Sequence, residues 1–366
     1  MALNLEDKDI EKLIELYIDA NIEITQEIID KISEIGDLSL LNQQELNEIK
    51  EKNRKKIFDD TLEELGFLIA KMNNETKKIY NDYAHYLVRS NKELFEYRNI
   101  KSKLNPIQLE MLNSGLKETQ NILKNFTRTT AFASETTYVE AVDKAFLNVL
   151  SGKKSYDKVI YDTYKELAEK GVKLKDSIGR NVQLETAIER NLRAGLQNTA
   201  NRISDNLFNE LGCNGYEVSA HSGARPTHAI AQGRQYALTR EDAEKYGVGY
   251  WYDLVDGEPI AELWNDYNCR HDYFPIILGV SEPNYTNKEL NKMQDDELYY
   301  NIQKQHYYES KIRNTKRAIE SVSKSKDENV IKVKQNLEQS LKNYRRKYRE
   351  FNKQTGLKPD YTRTRV

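Results

Sequence analysis

AHSGARPTHAIAQGRQYAL, from Ala220 to Leu238, and YNCRHDYFPIILGVS, from Tyr267 to Ser281, bracket the stretch whose reading decides the fold. Composition changes abruptly around it. Eight of the 16 Gly lie between Gly212 and Gly279, and four of the 6 Pro lie between Pro226 and Pro283. Both Cys, both Trp and three of the 5 His fall in the same region. Gly and Pro punctuate a chain into turns and short strands, and Pro106 is the sole proline before this stretch. The expected fold is therefore mainly α, with long amphipathic helices flanking a small α+β, turn-rich module with short strands.

Working outward toward the N-terminus, apolar residues recur at helical spacing. Ile10, Leu13, Ile14 and Tyr17 form one stripe. A second segment, about residues 42–72, carries Ile57, Leu62, Leu65, Leu68 and Ile69, and a third carries Tyr80, Tyr83, Tyr86 and Leu87. Asn105-Pro106 predicts a break, because the residue before proline is pushed out of the helical region. Ser134-Glu135-Thr136-Thr137 reads as a further helix start, leading into Val139, Val142, Phe146 and Val149. Gly152 and Gly171 predict helix ends, and VKLKDSIGRNVQ, residues 172–183, reads as a short extended connector or hairpin. Leu184, Ile188, Leu192, Leu196, Ala200, Ile203, Leu207 and Leu211 then form the clearest helix in the chain. Gly195 inside it costs about 1 kcal/mol against Ala, unless another element packs close to the backbone there.

YEVSAH, Tyr216 to His221, alternates like a strand and delivers the chain into the central module. After it, Leu298, Ile302, Tyr308, Ile312, Ile319 and Val322 form one stripe, and Val330, Val333, Leu337, Leu341, Tyr344, Tyr348 and Phe351 form another. The polar SKSKDEN between them predicts a helical hairpin, or a pair that docks on a partner as a coiled coil. Three regions follow along the chain: an N-terminal helical region, 1–133; the motif-bearing module, 134–286; and a basic C-terminal helical hairpin and tail, 287–366.

Hydrophobic residues make up 38% of the chain and charged residues 31%, a lean balance that suits long amphipathic helices. The net charge of -2 hides an asymmetry: residues 301–366 hold 18 Lys/Arg against 7 Asp/Glu, a net of +11, which leaves -13 for the rest. A basic end on an acidic body points to a polyanion, packaged DNA among them, or to an acidic protein surface; the alternative is a merely solvated helix face. Two Cys make no disulfide framework. MALNLEDKDIEKL is acidic and lacks the apolar core of a signal peptide. No run approaches the roughly 18 apolar residues of a membrane span, so no membrane partner is expected.

His221 and His228 stand seven apart, with Gly223 and Pro226 bending the chain between them. Cys269 and His271 follow as an i, i+2 pair, which on an extended segment projects from one face and turns Arg270 the other way. Three imidazoles and a thiolate could close a tetrahedral structural zinc site. The opposing reading makes Cys269 a small buried apolar residue and has the His rings satisfy backbone carbonyls. Arg225 and Arg270 can pin loops through carboxylates and carbonyls with their planar forks. Gln232 and Arg234, flanking Gly233, can do the same. Ser222 beside His221 makes no triad, because sequence adjacency says little about geometry. No catalytic residue is assigned.

These residues also carry a resemblance. The helix LETAIERNLRAGLQNTANRI, then VSAHSGARPTHAIAQGRQYAL, then YNCRHDYFPIILGVSEPNYTNKEL resembles the phage minor capsid protein 2 family, akin to the Mu F-type minor head proteins of tailed bacteriophages. Its elements are H-x-GARP-x-HA with Gly223, Ala224, Arg225 and Pro226, QG-x-x-Y with Gln232 and Gly233, and NCRH with Asn268 and Arg270. QHYYESKIRNTKRAIE and FNKQTGLKPDYTRT also resemble family elements, so the likeness covers most of Tyr138 to Val366. Where the family often has a Gly-rich approach to NCRH, this chain has GEPIAELWNDYNCRH. The resemblance implies a structural, non-enzymatic virion component made in the bacterial cytoplasm. It implies partnership with the portal protein and the major capsid protein, in head assembly or genome delivery. Two other classes stay open on the residues alone: a metal-dependent hydrolase or nuclease acting on nucleic acid, and a nucleic-acid-binding protein working through its basic end. A site with four protein ligands favours a structural role over catalysis, because a catalytic zinc keeps an open position.

Overall fold

The computed structural model describes residues 7–176, 178–264 and 269–366. The architecture is mainly helical, as the spacing predicts. In chain order come α1 (Asp7–Ser33), α2 (Gln43–Ser90), α3 (Lys92–Tyr97), α4 (Pro106–Leu150) and α5 (Tyr156–Lys170). The hairpin of β1 (Lys173–Lys175) and β2 (Asn181–Gln183) leads into α6 (Leu184–Glu210). The small α+β module follows, with β3 (Gly215–Val218), α7 (Pro226–Ala231), β4 (Gln235–Ala237), α8 (Arg240–Tyr246) and β5 (Gly249–Tyr250). It continues with β6 (Leu254–Val255), β7 (Glu258–Pro259), α9 (Ile260–Leu263) and β8 (Tyr273–Ile276). The chain ends in α10 (Asn287–Met293), α11 (Asp296–Glu320) and α12 (Glu328–Thr355). No helix among the described residues is long and apolar enough to cross a membrane.

Two helix boundaries differ from the sequence reading. The segments expected at 42–72 and around Tyr80 are one helix, α2. Nothing between Met72 and Tyr80 is a Pro or a Gly, so nothing there interrupts the hydrogen-bond ladder. Ser134 starts no helix; it lies in the middle of α4. Its hydroxyl donates back to the Ala131 carbonyl at 2.8 Å and meets Thr61 Oγ1 at 3.0 Å, both groups buried. A serine that would cap a helix in solution is satisfied here within the helix and by its neighbour.

The chain divides into two units, each assembled from separate stretches. One comprises residues 11–73, 122–189 and 304–366. Its core joins Ile24, Ile28 and Ile29 of α1 with Tyr138 and Val142 of α4, Ile160 and Tyr164 of α5, and Val330, Val333 and Leu337 of α12. Asn21, buried in α1, meets both backbone groups of Val172: its amide donates to the carbonyl at 3.1 Å and its oxygen accepts the N–H at 2.9 Å. This ties the start of the hairpin to α1 without leaving a buried polar group unpaired. α11 and α12 form the expected hairpin, with Gln305 donating to Asn352 at 2.9 Å and Tyr348 to Glu309 at 2.8 Å.

One charge in this unit sets a pH dependence. Burial, then a hydrogen bond and repulsion from Asp60, push the half-buried Glu27 carboxyl up to about 8. A carboxyl raised in the folded state stabilises fully below its unfolded value, and that contribution is lost as pH rises through the folded one. Glu27→Gln should therefore stabilise the protein by about 1–2 kcal/mol at pH 8, after discounting for partial exposure, and by almost nothing near pH 4. Urea titrations at the two pH values check this.

The other unit comprises residues up to 10, 74–121 and 190–303. Its sheet has the order β5-β4-β3-β8, with β3 antiparallel to both neighbours and β4 parallel to β5. All four residues of β3 are buried, as a central strand requires. Tyr216, Tyr236, Trp251, Trp264, Cys269 and Tyr273 pack as one aromatic-rich cluster, with Phe208 of α6 against it.

Candidate functional site

The connection from β3 to β4 carries most of the motif and has to turn twice. Gly223 makes the first turn with φ +75°, and a Cβ there would stand 2.6 Å from Ile302 Cδ1. Gly233 makes the second with φ +66°, and a Cβ there would overlap Leu290 Cδ2. Positive φ and close approach both require glycine. Between them Ala224 is buried, Arg225 occupies the N-cap position of α7 and Pro226 its first turn, where a missing N–H costs nothing. This short helix turns His228 inward, where it is 2% exposed.

The second half of the site arrives just ahead of β8. Cys269 and His271 are buried and Arg270 between them is exposed, the alternation that their i, i+2 spacing predicts. Asn268 lies outside the described residues. The Sγ of Cys269 is 3.4 Å from His271 Nδ1 and 3.7 Å from His228 Nδ1, and the two Nδ1 atoms are 3.5 Å apart. Residues 41 and 43 positions apart in the chain thus converge on one point. His221 is beside them without joining them. Its ring stacks on that of His271 with centroids 4.3 Å apart, its Nδ1 lies 3.2 Å from the Ser222 carbonyl, and it is not among the three side chains whose ligand atoms cluster.

Gln232, at the end of α7, holds this arrangement. Its Oε1 accepts the backbone N–H of His221 at 2.9 Å and lies 2.9 Å from His271 Nε2. Burial, followed by repulsion from His221, His228 and Arg225, holds the His271 imidazole well below its ordinary value, so the ring is neutral. Burial likewise lowers His221 and pushes the Cys269 thiol up to about 11. Trp264, fully buried, sets its ring 5.6 Å from that of His228 and 5.2 Å from that of His271, centroid to centroid.

Several residues that no motif marks complete the site. Gln197 of α6 donates to the Trp264 and His271 carbonyls. Tyr83 and Tyr86 of α2 donate to the two carboxylate oxygens of Asp272 at 2.9 and 3.1 Å, across more than 180 residues of sequence. The sequence marks these tyrosines as core residues by their helical spacing, and their hydroxyl partner had no local signal. Glu217 of β3 accepts hydrogen bonds from Gln235 and Asn284. A cavity of about 550 Å³ lies alongside, lined by Cys269, His221, Arg193, Ser219, Asp272 and Tyr285 among others.

No curated protein and no solved structure matches the chain. The family model for phage minor capsid protein 2 matches residues 5–353, nearly the whole sequence, including the helices before Tyr138 where no motif was legible. With the three motif elements folded into one site and the match running through every flanking helix, the chain belongs to the phage minor capsid protein 2 family.

Proposed function

We propose that the protein is a minor component of a tailed-phage head that associates with the portal and major capsid proteins and acts in head assembly or genome delivery. The observation that carries this is the family match over residues 5–353, which extends through the helices on both sides of the motif site. In this reading the site of His221 to His271 is a rigid element that fixes the module, and the long helices are the arms that meet other head proteins. It needs no turnover, and its place of action is the virion after synthesis in the host cytoplasm. Affinity purification of the tagged protein from an induced host tests it. Portal and major capsid proteins should co-purify in fixed ratio, and particles made without the protein should lose infectivity. Recovery of the protein free of every head component would refute the proposal.

A second role is favoured by the face of α12. Lys342, Arg345, Arg346, Arg349 and Lys353 are exposed along it at helical spacing, and of these Arg346 reaches an acidic partner, Glu350 at 4.0 Å. Such a row suits the phosphates of packaged DNA. With about four phosphates neutralised, released counterions would make duplex affinity fall by about a hundredfold between 50 and 200 mM salt. Changing Arg345, Arg349 and Lys353 to Ala should flatten that slope in fluorescence anisotropy. Binding unaffected by salt would refute the phosphate role, and no duplex binding at all would mean that α12 meets an acidic protein surface instead.

A further inference from the structure

We propose that His228, Cys269 and His271 hold one zinc ion through three protein ligands, with His221 outside the coordination sphere. The inference stands apart from the head-protein reading, since a bound ion neither requires nor excludes it.

The hydrogen bonds around His271 fix its tautomer. Gln232 Oε1 accepts the backbone N–H of His221, which can only donate, so the atom at that position is the amide oxygen. The same oxygen lies 2.9 Å from His271 Nε2, which must then carry the proton. His271 Nδ1 is left as a lone pair, aimed at Cys269 Sγ and His228 Nδ1. A ligating histidine that gives its other N–H to a fixed oxygen is the usual outer-shell arrangement of a metal site. The backbone N–H of His271 also points at Cys269 Sγ, at 3.4 Å, a contact that favours a thiolate.

The dimensions agree. With Zn–N near 2.0–2.1 Å and Zn–S near 2.3 Å, a tetrahedral ion holds two nitrogens about 3.4 Å apart and a nitrogen and a sulfur about 3.6 Å apart. The three edges here are 3.5, 3.7 and 3.4 Å. All three side chains are buried, so an ion among them would be shielded, and two imidazoles with one thiolate suit zinc over harder cations. Three protein ligands leave one position for water or a small anion, and Cys269 and His221 both line the adjoining cavity.

The test uses the untagged full-length protein. Elemental analysis should find one zinc per chain. After chelation, loading with cobalt(II) should produce a thiolate-to-cobalt charge-transfer band in the near ultraviolet. Cys269→Ser, His228→Ala and His271→Ala should each lose zinc and the band, whereas His221→Ala should keep both. Gln232→Leu should weaken zinc binding by about ten- to a hundredfold. Zinc well below one per chain, together with no charge-transfer band in the cobalt titration of the wild-type protein, overturns the site whether or not the variants fold. Loss of zinc in a folded His221→Ala protein overturns the three-ligand set.

Discussion

Arg317→Ala should destabilise the protein by about 3–5 kcal/mol, the usual consequence of stripping one partner from a buried ion pair. Arg317 and Glu185 are 2% and 3% exposed, and their charged atoms meet at 2.8 Å. The guanidinium also donates to Gln183 Oε1 at 2.9 Å and points its other nitrogen at the Glu169 and Lys170 carbonyls, each 3.4 Å away. One side chain on α11 therefore holds β2, the first turn of α6 and the C-terminal end of α5, where a cation also complements the helix dipole. Lysine is a poor replacement, because its compact ammonium lacks the planar fork that reaches separated acceptors on both sides at once. The pair itself is incompletely satisfied: Glu185 Oε2 and Arg317 Nε have no partner among the described residues. The double change Arg317→Met with Glu185→Leu should therefore recover most of the loss, since replacing both charges removes the orphan that the single change leaves. Denaturant titrations of Arg317→Met, Glu185→Leu and the double variant form the cycle. Equal stability of Arg317→Ala and wild type would show that the pair does not hold these elements.

Gly195→Ala should destabilise the protein although alanine is the better helix former. Propensity alone gives a gain of about 1 kcal/mol. A Cβ at Gly195 would, however, overlap Thr119 Oγ1 of α4 and stand 3.1 Å from Tyr80 Oη of α2. The crossing is reciprocal, since a Cβ at Gly115 of α4 would overlap Thr199 Oγ1 of α6. Thr119 cannot swing aside freely, because its hydroxyl hydrogen-bonds Tyr80 Oη at 2.7 Å in a buried position. Overpacking of this kind costs about 1–3 kcal/mol, so the net loss is up to about 2 kcal/mol and grows when Gly115→Ala is added. Adding Thr119→Ala should relieve the single variant, because the nearest remaining Thr119 atom would be its Cβ at 3.4 Å. A more stable Gly195→Ala protein would mean that the two helices do not approach so closely.

Much of the local structure was legible in the residues themselves. The 3–4 spacing from Leu184 to Leu211 is α6, Gly152 and Gly171 end their helices at positive φ, and the alternation around Cys269 and His271 buries both and exposes Arg270. These features depend on neighbours a few positions apart, which periodicity and backbone sterics report directly. The motif elements likewise identified the family. Ser134 shows where local reading stops, since a good cap residue is also a good buried partner for Thr61, and only the packed helix decides between them. Only the tertiary structure decided which histidines meet Cys269, because side chains more than 40 positions apart converge through the path of α7 and β8. The Arg317–Glu185 pair, 132 positions apart, and the tyrosines on Asp272 had no sequence signal for the same physical reason. A charge or hydroxyl in an amphipathic helix looks solvated until the fold shows what closes over it.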